Sequence, residues 1–218
     1  MAKKKNLTQT DIISFYMDYV LTHDKKPNSV YAFAKDNNFE EQKFYEFFNS
    51  FELLEQSIFK VFFDNTISVL HKSEDYHSFE ARNKLLSFYF TFFEVLTANR
   101  SYVIHALKSD TNKLKSLKTL SLLRKNFTDY IGHLGIKTID LKQEKLEDLK
   151  HKALKESAWL QLLITMKFWL DDTSASFEKT DVFIEKSVQA SFDVIDTTPL
   201  KSLIDFGKFL YKEKIHSN

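Results

Sequence analysis

The chain has 218 residues, of which 43% are hydrophobic and 28% charged, and its net charge at pH 7 is +1. This size allows one large core or a small domain joined to a larger one, and the near-neutral charge favours no class of partner. The absence of cysteine excludes disulfides and thiolate metal sites, and no run of about 18 apolar residues could span a membrane, so we expect a cytoplasmic protein without a transmembrane segment.

The sequence favours an all-α fold. Only 3 glycines and 2 prolines are present, too few for the many turns of a sheet protein, and apolar residues recur with helical spacing. The 22 phenylalanines indicate a bulky aromatic interior or an aromatic-lined cavity. In chain order the pattern predicts ten helices, at about Thr8–His23, Ser29–Asp36, Glu40–Phe47, Ser50–His71, Ser78–Ala98, Arg100–Lys108, Asn112–Leu134, Glu144–Leu170, Phe177–Asp196 and Thr198–Lys212.

The first three predicted helices have the spacing of a helix-turn-helix. Pro27 and Asn28 break the chain after the first helix, and Asn37-Asn38 suits a tight turn because asparagine tolerates positive φ. Ser50 is expected to cap the longer helix that follows. In a helix-turn-helix the second helix of the motif enters the DNA major groove, so the third helix of this chain is predicted to read DNA.

Specific positions of this part of the chain carry a family resemblance. They are Ser29-Val30, Phe33-Ala34, Asn38-Phe39, Phe44-Tyr45, Phe48 and Glu52-Leu53-Leu54. At these positions the chain resembles the TetR family of bacterial transcription regulators. The resemblance implies a helix-turn-helix DNA-binding head over residues 1–50 and a helical-bundle body for ligand binding and dimerisation over residues 51–218. It also implies a homodimer that binds a double-stranded DNA operator and responds to a hydrophobic small molecule or lipid, which acts through its different affinity for two states.

The resemblance places the DNA contacts on and around the third helix. Gln42 and Lys43 are expected to read the groove, Lys43 is also expected to reach a phosphate, and Tyr45 and Asn49 are expected to contact the backbone. A lysine run at the N-terminus is expected to act as an arm along the DNA, although such a run also serves simply for solubility. The full set of predicted DNA-binding residues is Lys3, Lys4, Lys5, Ser29, Gln42, Lys43, Tyr45 and Asn49.

The head has an unusual charge for a DNA-binding module. Residues 1–55 carry seven lysines, no arginine and nine acidic residues, which gives a net charge of −2. The third helix opens with Glu40, at the position where the family usually has a small hydroxyl residue, and Glu41 follows it. Affinity for DNA comes largely from neutralising phosphates, so such a head binds well only if its lysines gather on one side. Two alternatives therefore stay open: a lipid-binding protein of the same shape without DNA binding, and a structural dimer without a ligand.

The body is expected to hold the ligand and to form the dimer. The aromatic surplus predicts core packing for most phenylalanines and an apolar pocket among the fourth to eighth helices. The dimer is expected to be a four-helix contact from the eighth and ninth helices of each copy. The predicted pocket residues are Phe62, Tyr89, Phe92, Phe93, Tyr102, His105, Trp159 and Met166, and the predicted dimer residues are Trp169, Phe183 and Val188.

Residues 170–186 resemble a segment of the TetR-shaped accessory proteins of ubiquinone biosynthesis, which bind isoprenoid lipids. The shared pattern is Asp-x-Ser-x-x-Phe-Glu-x-Thr, followed by Phe, an aliphatic residue and an acid. The same residues fit a simpler interpretation, in which Ser174 or Ser176 caps the ninth helix and Asp171-Asp172 is a solvated pair of loop acids.

No catalytic or metal-binding pattern stands out. The seven histidines are scattered, without a His-x-x-x-His pair, and no Gly-rich phosphate loop or Gly-x-Ser-x-Gly occurs. We therefore expect no enzymatic activity, no metal site and no cofactor. The basic amphipathic tenth helix is expected to dock on the bundle or on the partner subunit rather than on a membrane.

Overall fold

The computed structural model describes residues 7–108, 117–136 and 144–196, and within these ranges it contains helices and no strand. The predicted all-α fold class is confirmed. The α-helices, numbered along the described chain, are α1 (Gln9–His23), α2 (Val30–Asp36), α3 (Glu41–Tyr45), α4 (Phe51–His71), α5 (Glu74–Ser78), α6 (Ala81–Ala98), α7 (Arg100–Lys108), α8 (Ser121–His133), α9 (Glu144–Asp171) and α10 (Glu178–Asp196), with a 3-10 helix at Ala175–Phe177.

Most helix boundaries follow the predictions closely, with two differences. The predicted seventh helix, at about Asn112–Leu134, is interrupted by a turn at Leu120, so α8 begins at Ser121. A polar link is predicted before the fifth helix, but the short helix α5 lies there, and α6 begins at Ala81 rather than at Ser78. The helix α5 is stabilised by Tyr76, which is the buried residue of that turn and whose hydroxyl lies 2.9 Å from the hydroxyl of Tyr130 on α8. The predicted helix at Thr198–Lys212 and the first residues of the predicted seventh helix lie outside the described residues.

Short polar side chains start the N-terminal helices. Thr8 and Asp11 form a reciprocal capping box on α1, the hydroxyl of Ser29 accepts from the backbone N–H of Ala32 at 3.1 Å, and the hydroxyl of Ser50 accepts from that of Leu53 at 3.2 Å. Between α2 and α3, Asn38 adopts φ 55°, as predicted for this turn. These caps and this turn set the limits of the helix-turn-helix.

The described residues fall into two compact units. Those within Met1–Val69 and Thr91–Phe127 form the first unit, and those within Leu70–Phe90 and Thr128–Asn218 form the second. The first unit contains α1, α2, α3 and α7, and α1 packs on α7. The second contains α9 packed on α10. The division of function between residues 1–50 and 51–218 stays a prediction.

Of the helices that the structure describes, none combines the length and the apolar composition needed to cross a membrane.

Candidate functional site

Helices α2 and α3 are fixed to their neighbours by a cluster of aromatic side chains, which we call the aromatic core of the head. Phe33 on α2 is fully buried, and its ring centroid lies 5.7 Å from those of Phe39 and Phe51. Phe44 is the buried residue of α3, and its ring centroid lies 5.3 Å from that of Phe51 and 5.8 Å from that of Phe48. Because these aromatic contacts bury the apolar side of α3, its polar side chains are left at the surface.

The predicted DNA-binding residues that the structure describes are all exposed. Tyr45 has 53% of its surface accessible although it lies beside the buried Phe44. The arm Lys3–Lys5 lies outside the described residues. These exposed residues are Ser29, Gln42, Lys43, Tyr45 and Asn49. Together with Glu40, Glu41 and Glu46, we call them the α3 surface.

Two of these side chains already have carboxylate partners on the same short helix. The ammonium of Lys43 donates to both carboxylate oxygens of Glu46, at 2.8 and 2.9 Å, and the hydroxyl of Tyr45 lies 3.4 Å from a carboxylate oxygen of Glu41. The spacings are i,i+3 and i,i+4, which place side chains on the same face of a helix. Sequence reasoning named Lys43 and Tyr45 but missed their glutamate partners, which this spacing would have indicated.

Behind the α3 surface, Glu55 on α4 joins two parts of the first unit. Tyr16 of α1 donates its hydroxyl to this carboxylate, and the ammonium of Lys26 lies 2.6 Å from it. Burial, followed by the neighbouring Glu55 charge, raises the pKa of Tyr16 well above its ordinary value, so Tyr16 stays a neutral donor. The network therefore joins the middle of α1 and the segment after it to α4.

The predicted ligand-pocket residues are nearly all buried, but they belong to different units. In the first unit Phe92 and Phe93 are 6.0 Å apart between ring centroids, and His105 is half-buried, with Nδ1 3.3 Å from a carboxylate oxygen of Asp24. Burial raises the pKa of Tyr102 well above its ordinary value. The buried members of the set are Phe62, Phe92, Phe93 and Tyr102 in the first unit and Tyr89, Trp159 and Met166 in the second. A pocket formed from them stays a prediction.

The α9–α10 pair carries an exposed apolar surface, which we call the hairpin face. The rings of Phe168 and Phe183 stack with centroids 4.5 Å apart and line a groove of about 380 Å³, together with Val182, Lys179 and Lys186. Two polar contacts lock the helices beneath it: Gln161 donates to Ser187 at 3.3 Å and accepts from Ser191 at 3.0 Å. The exposed apolar residues of the face are Leu160, Ile164, Phe168 and Val182, with Phe183 half-buried.

The three predicted dimer residues differ in exposure. Trp169 is 1% exposed and Val188 is 0% exposed, so their side chains pack within the chain itself, and a dimer contact through them stays a prediction. Phe183 alone of the predicted three lies on the hairpin face. Helical periodicity places all three among apolar positions, but it does not distinguish an own-chain neighbour from a partner.

The turn between α9 and α10 is organised by Asp172. Its carboxylate, only 8% exposed, accepts from the backbone N–H and hydroxyl of Ser174, at 2.8 and 2.7 Å, and from those of Thr180, at 3.0 and 2.7 Å. Burial acts to raise the pKa of Asp172, but the hydrogen bonds from Ser174 and Thr180 outweigh it and lower the pKa well below its usual range. The prediction that Asp172 is a solvated loop acid is therefore wrong.

The Asp-x-Ser-x-x-Phe-Glu-x-Thr pattern thus has a structural role in this chain. Asp172, Ser174 and Thr180 form the hydrogen-bond network, and Phe177, with φ 61°, brings its ring to 6.1 Å from that of Trp169. Ser174 accepts from the backbone N–H of Lys179 at 3.2 Å, so one of the two predicted serines takes part in the start of α10. The pattern is explained by the turn without a bound lipid.

The comparison with protein families decides the assignment of the chain. Residues 84–210 match the family model described as "Tetracyclin repressor-like, C-terminal domain", which is more than half of the sequence. The chain belongs to the TetR family. Among curated proteins, none matches the chain closely enough to count as a relative.

The match to the TetR family covers the body and not the head. It begins at Lys84, inside α6, and includes α7 to α10, whereas the α3 surface precedes it. Family membership therefore supports a regulator, a class that is generally not enzymatic. The assignment of DNA-binding residues therefore rests only on the sequence and the geometry of the head. Among the described residues, no three His, Asp or Glu side chains come together in a way that could hold a metal ion.

Proposed function

We propose that the protein is a DNA-binding transcription regulator that acts as a homodimer and responds to a hydrophobic small molecule. The observation that carries the proposal is the α3 surface: a short helix follows a capped helix and an asparagine turn, buries Phe44, and exposes Gln42, Lys43 and Tyr45. This is the arrangement that a helix-turn-helix needs to present side chains to the major groove. The TetR-type body supports it.

The charge of the head defines what kind of DNA binding to expect. Residues 7–55 contain four lysines and nine acidic residues, and two of the lysines, Lys26 and Lys43, are paired with Glu55 and Glu46. Few cations remain for phosphates, so we propose that the arm of Lys3–Lys5 supplies a large part of the affinity. Binding is then expected to be weak, and its dependence on salt shallow, because few phosphates are neutralised.

The test is fluorescence anisotropy with labelled duplexes from the DNA upstream of the protein's own coding sequence, at 50 and 150 mM salt. The proposal expects binding at 50 mM that weakens as salt rises, and a loss of that binding on replacing Lys3–Lys5 by glutamine. Gln42→Ala is expected to reduce the preference for one duplex over a scrambled one. The matched control is Lys72→Gln, which removes an exposed lysine after α4. A lack of binding at 50 mM salt to any upstream duplex would overturn DNA binding.

We propose that the homodimer forms through the hairpin face. Leu160, Ile164 and Phe168 follow one another at i,i+4 on α9, and Val182 continues the apolar surface on α10. A four-helix contact would cover these side chains. Ile164→Lys is expected to convert the dimer to a monomer in light scattering, whereas Val69→Lys, at an exposed position on α4, should leave the mass unchanged. A monomeric wild type at micromolar concentration would contradict the proposal.

A second candidate function is binding of a lipid or other apolar molecule without DNA binding, and the acidic α3 surface is the observation that favours it. Glu40, Glu41 and Glu46 surround the single lysine of α3. Native mass spectrometry of purified protein tests for a co-purified apolar molecule. A bound molecule together with no DNA binding would support this candidate, and a consistently empty dimer without DNA binding would indicate a structural role.

A further inference from the structure

We infer that Glu41 and Glu46 attenuate DNA binding by occupying the two α3 side chains that would otherwise contact phosphates. The inference rests on the proposed DNA binding. The ammonium of Lys43 donates to both carboxylate oxygens of Glu46, and the hydroxyl of Tyr45 lies 3.4 Å from Glu41. Each carboxylate therefore occupies the position from which a phosphate oxygen would accept from the same donor. The two glutamates thus compete with DNA for Lys43 and Tyr45.

The competition follows from the donors that are available. Lysine offers one compact charge, and here both Glu46 oxygens lie within 2.9 Å of it, so a phosphate must displace the carboxylate or share the ammonium with it. The pair is half-exposed, with 50% of the lysine side chain and 43% of the glutamate accessible, so its displacement is feasible. Surface pairs of this kind are weak, and we expect each to reduce affinity on the order of two- to fivefold.

Repulsion adds to this competition. A carboxylate that lies beside the contacted phosphate repels it as long as the two are within a screening length, which is about 8 Å at physiological salt. Glu41 and Glu46 flank the contact residues on both sides along α3. Together, the competition and the repulsion are expected to weaken DNA binding about tenfold at low salt, with a smaller effect at high salt.

The decisive variant is Glu41→Gln with Glu46→Gln, which keeps the size of both side chains and removes both charges. Anisotropy with the upstream duplex that binds best should give about tenfold tighter binding at 50 mM salt and a salt slope steeper by about one, because Lys43 is then free to neutralise a phosphate. The matched control is Glu74→Gln with Glu94→Gln, which changes the net charge equally at exposed positions of α5 and α6 and should change affinity less than twofold. Circular dichroism melting confirms that both variants are folded.

Lys43→Gln separates local release from a general gain of positive charge. In the wild type its effect on affinity should be small, and in the double-glutamine variant it should remove most of the gain. An equal gain from the control pair, or no gain from Glu41→Gln with Glu46→Gln while the wild type binds DNA, overturns the inference alone. Absence of binding by all variants at 50 mM salt overturns the proposed DNA binding and the inference with it.

Discussion

The head and the α9–α10 turn use polar side chains in opposite ways. In the head many of the buried positions are aromatic, Phe33 and Phe44 among them, and the charged residues of α3 lie outside. In the turn a carboxylate, Asp172, is itself buried and satisfied by four hydrogen bonds. The aromatic motif residues of the head therefore serve helix packing, whereas those of the turn form a hydrogen-bond network.

The largest expected effect breaks the aromatic core of the head. Phe33→Ala should lower the free energy of unfolding by about 3–5 kcal/mol, because it leaves a cavity among the rings of Phe39, Phe44 and Phe51. Urea unfolding followed by circular dichroism measures it. Tyr31→Ala, on the same helix but largely exposed, should cost about 0.5 kcal/mol or less. Similar costs for both variants would mean that Phe33 is not central to the packing.

The second effect removes the buried carboxylate of the turn. Asp172→Asn should lower the melting temperature by less than Phe33→Ala, since an amide cannot accept from both Ser174 and Thr180 as the carboxylate does. The neighbouring Asp171→Asn is the control, because Asp171 is exposed and its pair with Lys167, at 2.9 Å, lies at the surface. We expect the control to change stability by about 0.5 kcal/mol or less.

Lowering the pH should show how much the charge of the Asp172 carboxylate contributes to stability. The pKa of Asp172 is lower in the folded protein than the value of about 4 in an unfolded chain, so its stabilisation is present above that pH and is lost as the pH falls through the folded value. The difference in melting temperature between wild type and Asp172→Asn should therefore shrink as the pH falls below about 4. A difference that stays constant from pH 7 to pH 2 would show that the charge of Asp172 is not what stabilises the turn.

The contrast also explains what the sequence could predict. Helices with long apolar periodicity were predicted to within a few residues, and Arg100–Lys108 agrees at both ends. The one-turn helix at Tyr76 was missed because a single buried residue gives no periodicity. Asp172 was assigned to solvent because loop acids usually are solvated, and only the positions of Ser174 and Thr180 in three dimensions reveal otherwise.

A third, smaller effect distinguishes capping from DNA contact at Ser29. Its hydroxyl accepts from the backbone N–H of Ala32, so Ser29→Ala should cost about 1 kcal/mol of stability. Ser29→Asp keeps a capping oxygen and should retain stability, but its added negative charge should weaken DNA binding if the residue lies near a phosphate. Thermal melts and anisotropy on the same preparations separate the two roles. Unchanged DNA affinity of Ser29→Asp would remove Ser29 from the DNA-binding set.

The smallest effect concerns the Lys43–Glu46 pair and folding. A double-mutant cycle of Lys43→Gln and Glu46→Gln in urea unfolding should give a coupling of about 0.2–0.5 kcal/mol, because both side chains are well exposed and screened by water. A pair that contributes so little to the free energy of unfolding places little structural constraint on the residue at either position. If the coupling in folding exceeded about 1 kcal/mol, displacement by a phosphate would become unfavourable, and Lys43 would act as a structural residue of α3 rather than as a DNA contact.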